Sequence, residues 1–280
     1  MSTGTYSREG SASTRTLSMV GVFAVFALYT VPLLYVLISS FKSNIDVANH
    51  PLALIFTPTV AAYHDILNRA LLVALGNSLL ITAIATGVTL ICAIPMTYVL
   101  TRIHPRWTSL IVGVLIVLQM VPSSTAVIPL YSLLPALGLI NKIPGVALSI
   151  AAGTLPYAVL LLRPFYVSVP REVQEAAEVD GAGPFRSFFL ITMPLVRNGI
   201  LVITILVFIG AWGEFLFAIS FLGNESQYPL SVLLVQQTTQ YGTRYSSVMA
   251  IALIGAMPTI ILFFFAAKRL TSGLALGVGK

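Results

Sequence analysis

The chain has 280 residues, of which 57% are hydrophobic and 9% charged, far from the roughly 25% charged content of soluble domains. This balance excludes a water-soluble enzyme or binding domain and describes a polytopic membrane protein. The formal net charge of +6 fits membrane topology and attraction to anionic headgroups, and nothing in it calls for nucleic acid.

In chain order, the Ser/Thr-rich residues 1–16 read as a disordered tail. The first apolar run, Leu17–Phe41, exceeds the ~7–15-residue core of a signal peptide. It ends in Ser39-Ser40-Phe41-Lys42 without a small-x-small cleavage site, so it is expected to remain as an anchor. Ala70–Thr101 is the second run and holds Cys92, the only cysteine, which leaves no internal disulfide and no Cys-based metal site. His50, His64 and His104 lack metal-ligand spacing. Trp107–Asn141 is longer than the ~20 residues one crossing needs. A span is therefore placed near Leu110–Leu130, with Tyr131–Gly145 as an external turn or short re-entrant piece. Ile143–Leu162, Asn198–Asn224 (interrupted at Glu214) and Tyr245–Ala267 bring the candidate spans to six. The expected fold is all-α, with six transmembrane helices within residues 17–270, an inner loop at 168–197 and a tail at 271–280.

Lys/Arg placement sets the orientation. With the N-terminus inside, Arg8, Arg15, Arg102, Arg106, Arg163, Arg171, Arg186, Arg197, Lys268, Arg269 and Lys280 are cytoplasmic, leaving Lys42, Arg69, Lys142 and Arg244 outside. Both termini are expected in the cytoplasm. Pro32, Pro95, Pro122, Pro129, Pro156 and Pro258 fall within apolar runs, where each can kink a helix.

The chain carries little chemistry of its own. Its only Gly-Lys pair is Gly279-Lys280, so it has no phosphate-binding loop of the Walker type. It is expected to be non-catalytic and to hold no metal or cofactor, with any nucleotide energy coming from another subunit. Glu214 is the one ionisable residue well inside a span, where a charge costs at least ~2.5–3.5 kcal/mol. It reads either as a pathway or gate residue beside Trp212, whose ring is suited to stack on a sugar, or as a side chain bonded to a neighbouring helix. Asn77 is a further candidate for the path, although a lone buried amide commonly joins helices.

The most informative segment is Glu175–Pro194, a polar insert between apolar spans. Pro170 suits a helix start, and Glu172 and Glu175 near that end complement the dipole. Val173, Ala176, Ala177 and Asp180 share one helical face whose small alanines admit a close partner. Gly181 is expected to stop this helix in a left-handed conformation. Gly183-Pro184 restarts the chain, and Phe185–Thr192 reads as a second short helix presenting Phe185, Phe188, Phe189 and Ile191. The result is a bent hook; the alternative is a hairpin lying on the membrane surface.

Here the sequence becomes specific. Glu175-Ala176-Ala177, then Gly181, Ile191 and Met193-Pro194 resemble the EAA coupling-loop signature of permease subunits of binding-protein-dependent ABC importers, with Met193 where Leu is usual. Asp180-Gly181-Ala182 matches its common form. The resemblance extends to the MalG-like carbohydrate permeases through Asn77-Ser78-Leu79, Ile128-Pro129-Leu130-Tyr131, Leu137-Gly138-Leu139-Ile140-Asn141, Trp212 to Ala218 and Tyr228 to Val232. Gly213, Asn198 and Lys268 depart from the usual Asn, Pro and Gln.

The resemblance implies an importer permease in the plasma membrane of a prokaryote. A second homologous permease, two ATPase subunits carrying ATP and Mg, and an extracytoplasmic solute-binding protein would complete it. Glu175 would then make a salt bridge or dipole contact, Ala176 and Ala177 pack closely, Gly181 form the bend, and Phe188 and Phe189 anchor in the ATPase groove, with Asp180 and Pro194 part of the same coupling loop. Leu274–Lys280 would also reach the ATPase. The reading from a different class is a self-sufficient secondary transporter with Glu214 as a proton-coupling carboxylate.

Overall fold

The computed structural model describes residues 12–239 and 242–275, predominantly helical with one short hairpin pairing Thr238–Thr239 with Gly242–Thr243. Four helices are long and apolar enough to cross a bilayer: Ser18–Ser40, Arg69–Leu100, Ile143–Val167 and Tyr245–Phe265. Counting each of two bent helix pairs as one span brings the candidate crossings among the described residues to six. The first helix, α1 (Ala12–Ser40), is followed by two single-turn helices, α2 (Asn44–Asn49) and α3 (Ala61–Ile66), and then by the long α4 (Arg69–Leu100). Asn68 caps α4, its side chain accepting the Leu71 N–H at 3.1 Å.

The third span differs from the expected single crossing near Leu110–Leu130. Helix α5 (Pro105–Gln119) stops and α6 (Ser123–Ala136) leaves at 93°. Pro122 explains the break, since it lacks an N–H and pushes the residue before it out of helical geometry. The turn that follows α6 is confined to residues 137–142. Gly138 (φ 65°) and Asn141 (φ 57°) are both left-handed there, and the Asn141 N–H donates to the Phe221 carbonyl at 2.9 Å.

The core is α4 packed along α7 (Ile143–Val167), with α11 (Arg197–Trp212) against both and α5 against α7. Small residues make this close approach possible: α4 buries Ala74, Ser78, Ala85, Thr89, Ala93 and Thr97, and α7 buries Gly145, Ala147, Ser149, Ala151 and Ala158. Thr89 and Thr154 hydroxyls meet across the seam at 3.0 Å. Each hydroxyl also lies within bonding distance of a carbonyl of its own helix, so one donates to its carbonyl while accepting from the other across the seam.

Helix α14 (Tyr245–Ala275) packs on α11 and carries α1 on its outside. Large apolar side chains around α1 remain exposed, Phe23 and Tyr29 among them, so this helix faces lipid or another membrane subunit. Helix α1 begins at Ala12, within the stretch expected to be tail, and α14 runs past residue 271. Once a helix is nucleated, each added residue extends it at small cost, and Ala/Ser/Thr sequence does not stop it. Residues 1–11 and 276–280, where the remaining tail expectations fall, lie outside the described residues.

Candidate functional site

Between α7 and α11 the chain forms the expected hook. Its first limb is α8 (Arg171–Val179). The Asp180 N–H donates to Ala176 O at 3.0 Å and the Ala182 N–H to Ala177 O at 2.9 Å, with Gly181 at φ 76°. This is the six-to-one closure of a helix by a left-handed glycine. A Cβ added at Gly181 would meet nothing within 4 Å, so the demand for glycine is one of backbone conformation rather than space.

The second limb is a continuous helical segment, Pro184–Leu195. Two α-turns, α9 (Pro184–Arg186) and α10 (Met193–Leu195), flank a π-helical stretch at Ser187–Thr192. Pro194 accounts for the widening. It has no N–H and its ring crowds the carbonyl four residues back, a conflict that a π turn relieves. At Val196 the chain bends by 75° into α11.

The hook's side chains divide between the chain's own interior and its outer surface. Glu175, Ala176, Asp180, Phe185, Phe189 and Pro194 are exposed, Phe185 by 79% and Phe189 by 54%. Ala177 is buried at 5%, so only part of the small-residue face is open to a partner. Phe188, expected as a partner anchor, is 8% exposed and packs edge-on to Tyr98 at 4.7 Å. Its ring is engaged within this chain, which leaves Phe185 and Phe189 as the outward aromatic pair. The acidic residue in the first turn of α8 is Glu172; Glu175 instead lines a cavity with Arg102 and Arg163.

The three path candidates lie at the other end of the bundle, and each is bonded within the chain. After α11 the chain breaks at Gly213 and restarts as α12 (Leu216–Phe221). The Glu214 carboxylate accepts the N–H groups of Phe217 (2.9 Å) and Ala218 (3.3 Å), and so caps that helix. Its own carbonyl accepts from the Ser231 hydroxyl at 2.7 Å. The Asn77 amide donates to the carbonyls of Ser226 (3.0 Å) and Tyr228 (3.1 Å), tying the loop before α13 (Leu230–Gln236) to α4. Ser78 adds to that tie by accepting the Leu230 N–H at 2.8 Å.

Trp212 turns away from both. Its indole N–H donates to Gly255 O on α14 at 2.8 Å, and its ring lies parallel to Phe208, with centroids 6.0 Å apart. Glu214 and Asn77 are thus brought to one loop, and Trp212 is not brought to them. The Asn77 bonds join two parts of the fold, whereas the Glu214 carboxylate makes a local cap on the helix that follows it. Sequence reasoning missed Tyr98, Arg163 and Tyr166, which border the hook. Arg102 and Arg163 were read only as topology charges.

Residues 85–275 match the family described as binding-protein-dependent transport system inner membrane component. The chain is 28% identical over 248 residues to the sulfoquinovosyl glycerol transport system permease protein SmoH of Agrobacterium fabrum, covering 88% of this chain and 87% of that protein. It is 28% identical over 253 residues to the diacetylchitobiose uptake system permease protein NgcG of Streptomyces coelicolor, covering 88% and 83%. A chain from the crystal structure of a bacterial ABC transporter involved in import of the acidic polysaccharide alginate shares the fold, with TM-score 0.74, 24% identity and coverage of 95% and 99%. The matched segment begins within α4 and runs through the hook to the end of α14, so the architecture and the family agree: this chain belongs to the inner membrane components of binding-protein-dependent ABC transport systems.

Proposed function

We propose that the chain is the permease subunit of a carbohydrate importer, in which the hook transmits ATPase closure to the spans. The observation that carries the coupling role is the hook itself: a glycine-closed first limb with exposed Glu175, Ala176 and Asp180, and a second limb fixed to α4 through Phe188. A short element that is stiff and docked on the core turns a partner's movement into a rigid-body movement of helices. Two ATPases would hold the ATP and Mg, with hook and termini on the cytoplasmic side. The uncovered α1 and α14 suit a second homologous permease, and the opposite end of the bundle would receive a solute-binding protein. The relatives named for sulfoquinovosyl glycerol and for diacetylchitobiose support the substrate class.

Glu214 is occupied as a helix cap, which leaves the proton-coupled alternative with no observation in its favour. The experiment places a cysteine at Ala176 and crosslinks it in membranes holding the co-expressed ATPase. A permease–ATPase adduct is expected, accompanied by sugar uptake that stops when ATP is depleted. Uptake by the chain alone, without an ATPase, would refute the reading.

A further inference from the structure

A cavity of about 750 Å³ lies at the hook end of the bundle, between the α4–α5 turn, the end of α7 and the hook's first limb. Its polar lining includes Arg102, His104, Arg163 and Tyr166, beside the hydroxyls of Thr101, Thr108 and Ser109. Tyr166 is 2% exposed, yet its hydroxyl has no partner, and the Arg163 Nε–H is likewise buried without an acceptor. Arg102 lies over the Tyr98 ring, 3.7 Å from its centroid, with one guanidinium nitrogen bonded to the Tyr98 hydroxyl. His104 accepts the Arg106 N–H at Nδ1, so the neutral ring carries its proton on Nε2, another donor. The lining holds a single carboxylate, Glu175.

Buried donors are normally paired, and those left over beside two guanidinium groups match an anion with several acceptor oxygens. The surroundings indicate which. Val167 of the lining is exposed, as are Val99, Trp107 and Leu110, which neighbour lining residues in the chain; apolar side chains with an indole among them suit the level of lipid headgroups. Tyr98, whose ring Arg102 covers, lines a separate apolar groove of about 530 Å³ with Ile91, Ile94, Phe185 and Phe189, space suited to an acyl chain. We propose that this cavity binds a phosphate group through Arg163, Tyr166 and Arg102, its source being the headgroup of an anionic phospholipid. Lipid seated there would contact both α4 and the hook. The site does not depend on the transport reading.

The test is native mass spectrometry of the detergent-purified full-length chain with phosphatidylglycerol. A parallel calorimetric titration uses inorganic phosphate. Retention of phosphatidylglycerol is expected to fall roughly tenfold in Tyr166→Phe and in Arg163→Gln, the scale of one charge-assisted bond. Arg106→Gln, outside the lining, should match the parent. Tyr166→Phe keeps the ring and removes only an unpaired hydroxyl, so folding is not at issue. Binding of inorganic phosphate with the same residue dependence, without lipid retention, would assign the phosphate site to a soluble source. Parental lipid retention in both variants together with no phosphate binding would overturn the proposal.

Discussion

The ring of Phe188 meets that of Tyr98 edge-on at 4.7 Å, joining the second limb of the hook to the end of α4. The Tyr98 hydroxyl donates to Pro184 O at 3.3 Å, so the same tyrosine also holds the start of that limb. Since α4 is packed along α7, a push on the hook moves the central helix pair rather than a loose loop.

Phe188→Ala should therefore uncouple more than it unfolds. Removing a buried aromatic costs about 3–5 kcal/mol in a well-packed core, whereas the spans keep their internal backbone hydrogen bonds. Membrane abundance is expected to stay near the parent's while uptake falls about tenfold or more, and Phe188→Leu should recover part of it. Membrane immunoblots beside a transport assay read both. Normal uptake in the alanine variant would show that this contact carries no stroke.

Glu214 offers a test of cap against pathway. Glutamine retains a side-chain carbonyl able to accept an N–H, whereas alanine removes the cap, at a cost of about 0.5–2 kcal/mol. Glu214→Gln is expected to transport at a rate close to the parent's, and Glu214→Ala to melt at a lower temperature. Loss of uptake in Glu214→Gln with unchanged thermal stability would return the residue to the path.

The spans were legible because bilayer thickness fixes a run length, and the bend at Gly181 was legible because so few residues take a left-handed conformation. Side-chain destinations were not. Phe188 and Phe189 are neighbours of the same type, yet a π-helical turn sends one into the core and leaves the other exposed. A charge pattern shows that Glu214 lies in an apolar run, but not that a helix restarts two residues later and presents its N–H groups to it. Trp212 was misleading for a related reason: its proximity to Glu214 in sequence says nothing about the Gly255 carbonyl on a distant helix.

Gly199 tests the packing of α11 on α7. A Cβ there would run into the Phe165 ring, a contact that cannot be relieved without moving the ring or the helix. Gly199→Ala should lower the melting temperature of the purified chain, with overpacking costing about 1–3 kcal/mol. The double variant Gly199→Ala/Phe165→Leu, which frees the space, should restore part of the loss. Equal stability of the parent and the single variant would mean that the two helices are further apart than described.

Gly181 separates backbone conformation from packing most cleanly. Its φ of 76° lies where a residue with a Cβ is strained, while the surrounding space is open. The left-handed conformation costs such a residue roughly 1–2 kcal/mol, more when it is β-branched and less for asparagine. Gly181→Val should leave insertion intact and redirect the second limb, so that the ATPase attaches weakly or hydrolyses ATP without transport. Gly181→Asn should keep most of the uptake. In vesicles reconstituted with ATPase and binding protein, the expected order of stimulated hydrolysis and uptake is glycine, then asparagine, then valine. A valine variant equal to the asparagine variant would show that the left-handed turn is not what aims the hook.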